Sequence, residues 1–206
     1  MGLTIVQFGA NQGDDDLTKL TRALPATSVI DRLVLVEPLH VHHEALRKCY
    51  RDLNPEILAV AITTTGETAT TLYYHEDDGP YFEVASLDRN HIAKHAHYNP
   101  KLAAEDRLRS VSVPSVSPGE FLRRVGITTP DILFVDCEGA DGDIVTHLLN
   151  DGHLPVNLFF EHCHLRDESV YSLLAAKGYS VVRHCLTNGW MSFAAREPSP
   201  RLIPVT

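Results

Sequence analysis

The chain has 206 residues, 44% of them hydrophobic and 22% charged, a composition that supports one globular domain with a sizeable core. Its 18 Lys and Arg against 27 Asp and Glu leave a net charge of −9, which opposes a phosphate backbone and excludes nucleic acid as the expected partner. No apolar stretch approaches the roughly 20 residues of a membrane helix, and the start of the chain lacks the basic and apolar segments of a secretory leader. The four cysteines, Cys49, Cys137, Cys163 and Cys185, are scattered without a C-x-x-C pair, as suits reduced thiols. A cytoplasmic protein with no membrane partner is expected.

A strand is predicted near 3 to 8, running straight into Gly9-Ala-Asn-Gln-Gly13. The two glycines let the backbone turn sharply and approach a ligand closely. Asp14, Asp15 and Asp16 then open a helix over about 15 to 24, where carboxylates cap free amides. A second strand near 32 to 37 ends in Glu37, about 24 positions after the turn, a spacing that places a carboxylate to accept hydrogen bonds from a ribose. Gly9, Ala10, Asn11, Gly13, Glu37 and Pro38 are the expected lining of a pocket for an adenosyl-bearing ligand, with Ala61 beside them on a third strand near 57 to 62. A helix over about 39 to 51 follows Pro38. His40, His42 and His43 sit on it, and are expected on a solvated face, with His40 the candidate for an adenine contact.

Residues 66 to 118 read as an insertion. Thr68 to Tyr74 and Arg109 to Ser115 alternate like strands, Glu76 to Pro80 reads as a turn, and Asn90 to His97 reads as a short helix carrying His91 and His95 on one face. Histidines four apart suit metal or a polar surface, and Ser86, His91, Lys94, His95 and Tyr98 are expected to offer hydrogen bonds to a hydroxylated acceptor. Strands follow near 132 to 136, 156 to 161, 178 to 184 and 190 to 195. One helix lies after Gly139, with Ile144, Val145, Leu148 and Leu149 as its apolar stripe, and another over 167 to 177. Alternating strands and helices argue a parallel sheet covered on both faces, with its ligand crevice at the carboxyl ends of the strands. Only a short loop around Leu186 to Gly189 separates the last two strands, so they form a hairpin and the final strand runs antiparallel. Residues 1–197 form a single domain on this reading, and 198–206 a loose tail.

The segments Val6-Gln-Phe-Gly-Ala-Asn-Gln-Gly13, Leu35-Val-Glu-Pro38 and Asp131-Ile-Leu-Phe-Val-Asp-Cys-Glu-Gly-Ala-Asp141 resemble the FkbM family of S-adenosylmethionine-dependent O-methyltransferases. The resemblance spans nearly the whole chain. It implies a class I methyltransferase fold, a Rossmann-like three-layer sandwich whose mostly parallel seven-stranded sheet ends in an antiparallel strand. It also implies cofactor roles for Gly9, Asn11, Gly13 and Glu37, and places Asp136, Glu138 and Gly139 toward the methyl group and acceptor. Where relatives often have a Thr-Leu-Asp-like triplet, this chain has Val116-Ser-Pro-Gly119. It begins at the first strand without leading lid helices, so closure is expected from the insertion or from a second copy in a homodimer.

The expected reaction moves a methyl group to a hydroxyl of a sugar, glycan or glycosylated secondary metabolite. Asp136 and Glu138 at the end of one strand, and Glu161, His162 and His164 at the end of the next, are the candidate catalytic and acceptor-side groups. Two roles are open: Asp136 or a histidine as direct base, or Asp136, Glu161 and His162 holding a divalent cation that acidifies the hydroxyl. A nicotinamide dehydrogenase would also use a glycine-rich turn and a ribose-binding acid, but the middle glycine of G-x-G-x-x-G is absent, and Asn11 stands there. A scaffold domain that retains the fold without catalysis is the other alternative.

Overall fold

The computed structural model describes residues 2–23, 30–78, 84–97, 99–186 and 189–196; Tyr98, the tail and part of the last hairpin loop lie outside them. In chain order the elements are β1 (Leu3–Phe8), α1 (Asp16–Ala23), β2 (Ile30–Val36), α2 (His43–Cys49), β3 (Glu56–Leu58), β4 (Ala61–Ile62), β5 (Ala69–His75), β6 (Ala85–Ser86) and α3 (Arg89–His95). There follow β7 (Leu108–Val116), α4 (Pro118–Arg124), β8 (Ile132–Val135), α5 (Asp141–Asn150), β9 (Asn157–Glu161), α6 (Ser169–Ala176), β10 (Tyr179–Cys185) and β11 (Met191–Arg196).

Seven strands form the main sheet in the order β10-β11-β9-β8-β1-β2-β3. β11 runs antiparallel to both neighbours, and the pairs from β9 to β3 are parallel. This is the α/β, Rossmann-like arrangement expected from the alternation and the short last hairpin. The central strands are apolar on both sides because side chains alternate and both faces are covered. Val6, Phe8, Val34, Val36, Leu133, Val135, Leu158 and Phe160 pack with Phe121 and Leu122 of α4, Ile144, Val145, Leu148 and Leu149 of α5, and Val170 and Leu174 of α6. Their neighbours on the opposite face, Leu3, Ile5, Leu33, Leu35, Ile132, Phe134 and Phe159, pack with Leu17 and Leu20 of α1 and with Leu46 of α2. Phe134 and Phe159 stack with ring centroids 4.4 Å apart.

Two elements differ from the sequence expectation. The strand read over 57 to 62 splits, because the chain leaves the main sheet after Leu58 and Ala61 pairs with Ser115 in a second sheet of order β4-β7-β5-β6. Val60 donates to the Leu58 carbonyl at the break. The run Ile57 to Ile62 is apolar throughout, so nothing in its pattern marks the change of sheet. Apolar periodicity does not mark the helix α4, whose N-cap Ser117 accepts from the Glu120 amide and whose first turn holds Pro118. The insertion is thus a small sheet, with α3 packed on it, over the carboxyl edge of the main one.

Gly9 joins the two sheet halves. At φ +76 it occupies the left-handed region, and a Cβ there would stand 1.8 Å from the Asp136 carbonyl oxygen. Gly66 has φ +75 with nothing within 4 Å of its Cβ position. Gly66→Ala should therefore cost only the backbone strain of about 1–2 kcal/mol. Gly9→Ala should cost more, about 3 kcal/mol or above, because β1 and the β8 loop must also separate. Urea unfolding of both variants checks this, and equal losses would contradict the close approach.

Candidate active site

The same alternation that divides the core extends past the strand ends and builds the site. Residues 3, 5 and 7 of β1, 33 and 35 of β2 with 37 beyond it, 132 and 134 of β8 with 136 beyond it, and 157, 159 and 161 of β9 share the face covered by α1 and α2. On that face the last residue of each series is polar: Gln7, Glu37, Asp136 and Glu161. All four line one cavity of about 460 Å³ at the carboxyl ends of the strands.

The turn after β1 forms its floor. Gly9 and Ala10 both donate to the Val36 carbonyl at 3.0 Å, and the Asp136 amide donates to the Phe8 carbonyl at 3.0 Å. Asn11 adopts φ +43, and its backbone amide donates to Glu37 Oε2 at 2.9 Å. The Leu39 amide donates to Glu37 Oε1 at 2.7 Å. Two amides leave a carboxylate with acceptor positions to spare. Burial nevertheless pushes the Glu37 carboxyl up to about 7, with those amides working against the shift.

At the other end the acids crowd. Burial, together with the charges of Glu138, Glu161, Asp141 and Asp15, holds the Asp136 carboxyl well above its ordinary range. Glu161 is raised to about 7 by burial and by Glu138. Asp141 fastens the loop between them, its carboxylate accepting from the Cys137 amide at 3.0 Å and the Gly139 amide at 3.2 Å. Asp15 is held by Gln7 at 2.6 Å and caps α1 through the Thr18 amide at 3.0 Å, so part of the acidic run is a helix cap that also borders the cavity.

Gly9, Asn11, Gly13, Glu37, Pro38, Ala61, Asp136, Glu138 and Glu161 all line the cavity. Ala10 does not; it is fully buried in the core cluster with Leu17, Leu46 and Tyr50. His162 follows Leu158 and Phe160 on the opposite face of β9 and turns away, with Nδ1 3.1 Å from Ser192 Oγ and Nε2 3.2 Å from His184 Nδ1. The donor set Asp136, Glu161 and His162 therefore does not converge. Ser86 is buried, donates to the Glu138 carbonyl at 2.7 Å and so holds β6 to the β8 loop. Lys94 is exposed, outside the cavity wall. His91, His95 and His164 gather against Glu138, with His91 Nε2 3.1 Å from Glu138 Oε2 and its ring centroid 4.4 Å from that of His164.

The solvated face expected of His42 and His43 is not found. Both are buried: His43 Nε2 lies 2.7 Å from the Glu37 carbonyl, and His42 lines the cavity with Nδ1 lacking a hydrogen-bond partner among the described residues. Burial and His43 push the His42 imidazole down to about 4, so it faces the cavity neutral. His40 alone of the three is exposed. Trp190, Met191 and Leu87 also border the cavity and were not singled out in the sequence; Trp190 stands 57% exposed.

The profile of the methyltransferase FkbM domain matches residues 7–181, most of the chain. The chain belongs to the FkbM methyltransferase domain family. Among solved structures, an FkbM methyltransferase from Methylobacillus flagellatus KT superposes on this FkbM domain with TM-score 0.53 at 13% identity, over 94% of this chain and 43% of that one. This chain thus spans less than half of that relative. Precorrin-6y C5,15-methyltransferase from Geobacter metallireducens GS-15 gives TM-score 0.48 at 11% identity over 95% of this chain and 80% of that one. The O-methyltransferase from Bacillus cereus, in complex with SAH, gives 0.46 at 12% over 94% and 74%. No curated protein matches the chain significantly. Among the described residues of this FkbM domain no helix is long and apolar enough to cross a membrane.

Glu37 binds its proton more tightly in the folded than in the unfolded chain, so its contribution to stability falls as pH rises from 4.5 to about 7. Urea unfolding at pH 5 and pH 8 should show a smaller pH-dependent loss in Glu37→Gln, by on the order of 2 kcal/mol. An unchanged difference would contradict burial as the cause.

Proposed function

We propose that the chain transfers a methyl group from S-adenosylmethionine to a hydroxyl of a sugar, glycan or glycosylated secondary metabolite. The observation that carries this reading is the continuity of the cavity. It joins the Gly9–Gly13 turn and Glu37, suited to an adenosyl group, to Asp136, Glu138 and Glu161 at the neighbouring strand ends.

When bound, such a donor supplies an electrophilic methyl on a cationic sulfur. The chain's residues suit it at each end. Glu37 has lone pairs left for two ribose hydroxyls, and the neutral His42 stands on the adjoining wall. Asp14, Asp15, Asp16, Glu37, Asp136, Glu138 and Glu161 all border the cavity, while Lys19 is the cationic residue on it. That wall favours a cation and repels a pyrophosphate, which supports the methyl donor over the dinucleotide of a dehydrogenase. An open cavity of this size with carboxylates gathered at one end also speaks against a mere scaffold.

A hydroxyl is a weak nucleophile, and a base within hydrogen-bond reach contributes roughly 10²- to 10⁴-fold. Asp136, whose carboxyl is pushed up by burial and by its acidic neighbours, is the group assigned to take that proton. Its desolvated setting strengthens the attraction between the developing alkoxide and the sulfonium. On the acceptor side, the exposed face of Trp190 at the rim suits a sugar ring.

Calorimetry tests the donor: saturable heat with S-adenosylhomocysteine and none with NAD is expected, and the reverse removes the reading. Asp136→Ala should leave that binding within a few-fold while lowering methyl transfer by roughly 10²-fold or more in a screen of sugar nucleotides, oligosaccharides and glycosylated metabolites. Unchanged turnover would eliminate Asp136 as the base.

A further inference from the structure

Three histidines and one carboxylate from distant parts of the chain meet beside the cavity. His91 and His95 come from successive turns of α3 in the insertion, Glu138 from the loop after β8, and His164 from the loop after β9. One donor atom from each lies within 4.8 Å of every other. His91 Nε2 is 3.1 Å from Glu138 Oε2 and 3.1 Å from His95 Nε2, and His95 Nε2 is 3.9 Å from Glu138 Oε2. These separations bracket the edge of about 3.3 Å that a tetrahedron has when its metal–donor bonds are about 2.0–2.1 Å.

A ring nitrogen presents either a proton or a lone pair, never both. If His91 Nε2 donates to Glu138, it has no lone pair for His95. If it accepts from His95, its lone pair faces a carboxylate. In either tautomer a single ring proton must be shared between the two short contacts or serve one of them, whereas a cation accepts lone pairs from all the donors at once.

The backbone is shaped to this gathering. Glu138 adopts φ +48, a left-handed conformation uncommon for a residue with a side chain, and Gly139 follows at φ +96. A Cβ on Gly139 would stand 2.9 Å from His91 Nδ1, so the missing side chain admits the imidazole.

We propose that His91, His95, His164 and Glu138 form a binding site for a first-row transition-metal dication, zinc foremost, which ties α3 of the insertion to the ends of β8 and β9. Imidazole and a single carboxylate suit such an ion better than magnesium or calcium, which take oxygen ligands. Glu161 Oε2 lies 3.8 Å from His164 Nε2, outside the donor set. The site goes beyond the methyl-transfer reading and does not depend on it.

The test uses the untagged full chain, dialysed against a chelator and then titrated with cobalt(II) or zinc(II). One equivalent should bind, cobalt(II) should give the intense visible absorption of four-coordinate geometry, and zinc(II) should raise the melting temperature. His95→Gln and His164→Gln should each weaken binding at least about 100-fold and abolish the metal-dependent rise in melting temperature, while His40→Ala, on an exposed residue, should leave both unchanged. Metal-free melting of each variant reports folding separately, and Glu138→Gln serves as a further donor variant where a histidine variant fails to fold. No stoichiometric binding by the parent chain, or binding retained in the folded donor variants, would overturn the site. Because the readout is metal and not turnover or nucleotide binding, its failure is distinguishable from failure of the methyl-donor reading.

Discussion

Side chains on a strand alternate between two faces, and in this protein that period of two decides where the chemistry lies. Four adjacent parallel strands bury apolar residues on both sides, yet on one and the same layer their series end in Gln7, Glu37, Asp136 and Glu161. A shift of one residue in β9 would send Glu161 to the layer where His162 now meets Ser192, and the acidic end of the cavity would be lost. Register, held by the apolar residues beneath, is therefore what assembles the polar groups above. Gly9 completes the frame by letting the first turn lie against the Asp136 carbonyl, which no other residue could do without moving the strand ends apart.

The electrostatic character of the cavity follows from that placement. Desolvated carboxylates hold their protons more tightly: burial alone does this to Glu37, while burial and neighbouring acids together do it to Asp136 and Glu161. The same arrangement that is costly in the empty chain is favourable to a ligand carrying positive charge. The second sheet adds the opposite wall, with Ala61 and Ile62 of β4 and Leu72, Ala85 and Leu87 of the insertion presenting an apolar surface, while α3 brings two imidazoles to Glu138.

The main sheet was legible because its signals are local. Apolar runs of strand length, the Gly9–Gly13 turn and the brevity of the last hairpin each constrain the topology within a short window, and Glu37 and Asp136 fall at strand ends in that window. What was not legible depends on contacts between distant segments. The split at Leu58 occurs inside an unbroken apolar run, and depends on Ser115 and Val116 arriving from β7 to take up β4. His42 and His43 looked like part of a solvated helix, but a 3-10 turn over His40–His42 precedes α2 and rotates them inward. His162 and Glu161 are neighbours in sequence yet opposed in space, which strict alternation past the strand end would have foretold. The Ser117-Pro118-x-Glu120 start of α4 carries a capping signal, which apolar periodicity does not contain.

The most direct examination of the central claim is a crystal structure of this chain with S-adenosylhomocysteine. The account requires both ribose hydroxyls within hydrogen-bond distance of Glu37, and the sulfur directed toward Asp136 and Glu138. A ligand bound elsewhere, or a cavity closed by its own side chains in the presence of saturating ligand, would contradict it.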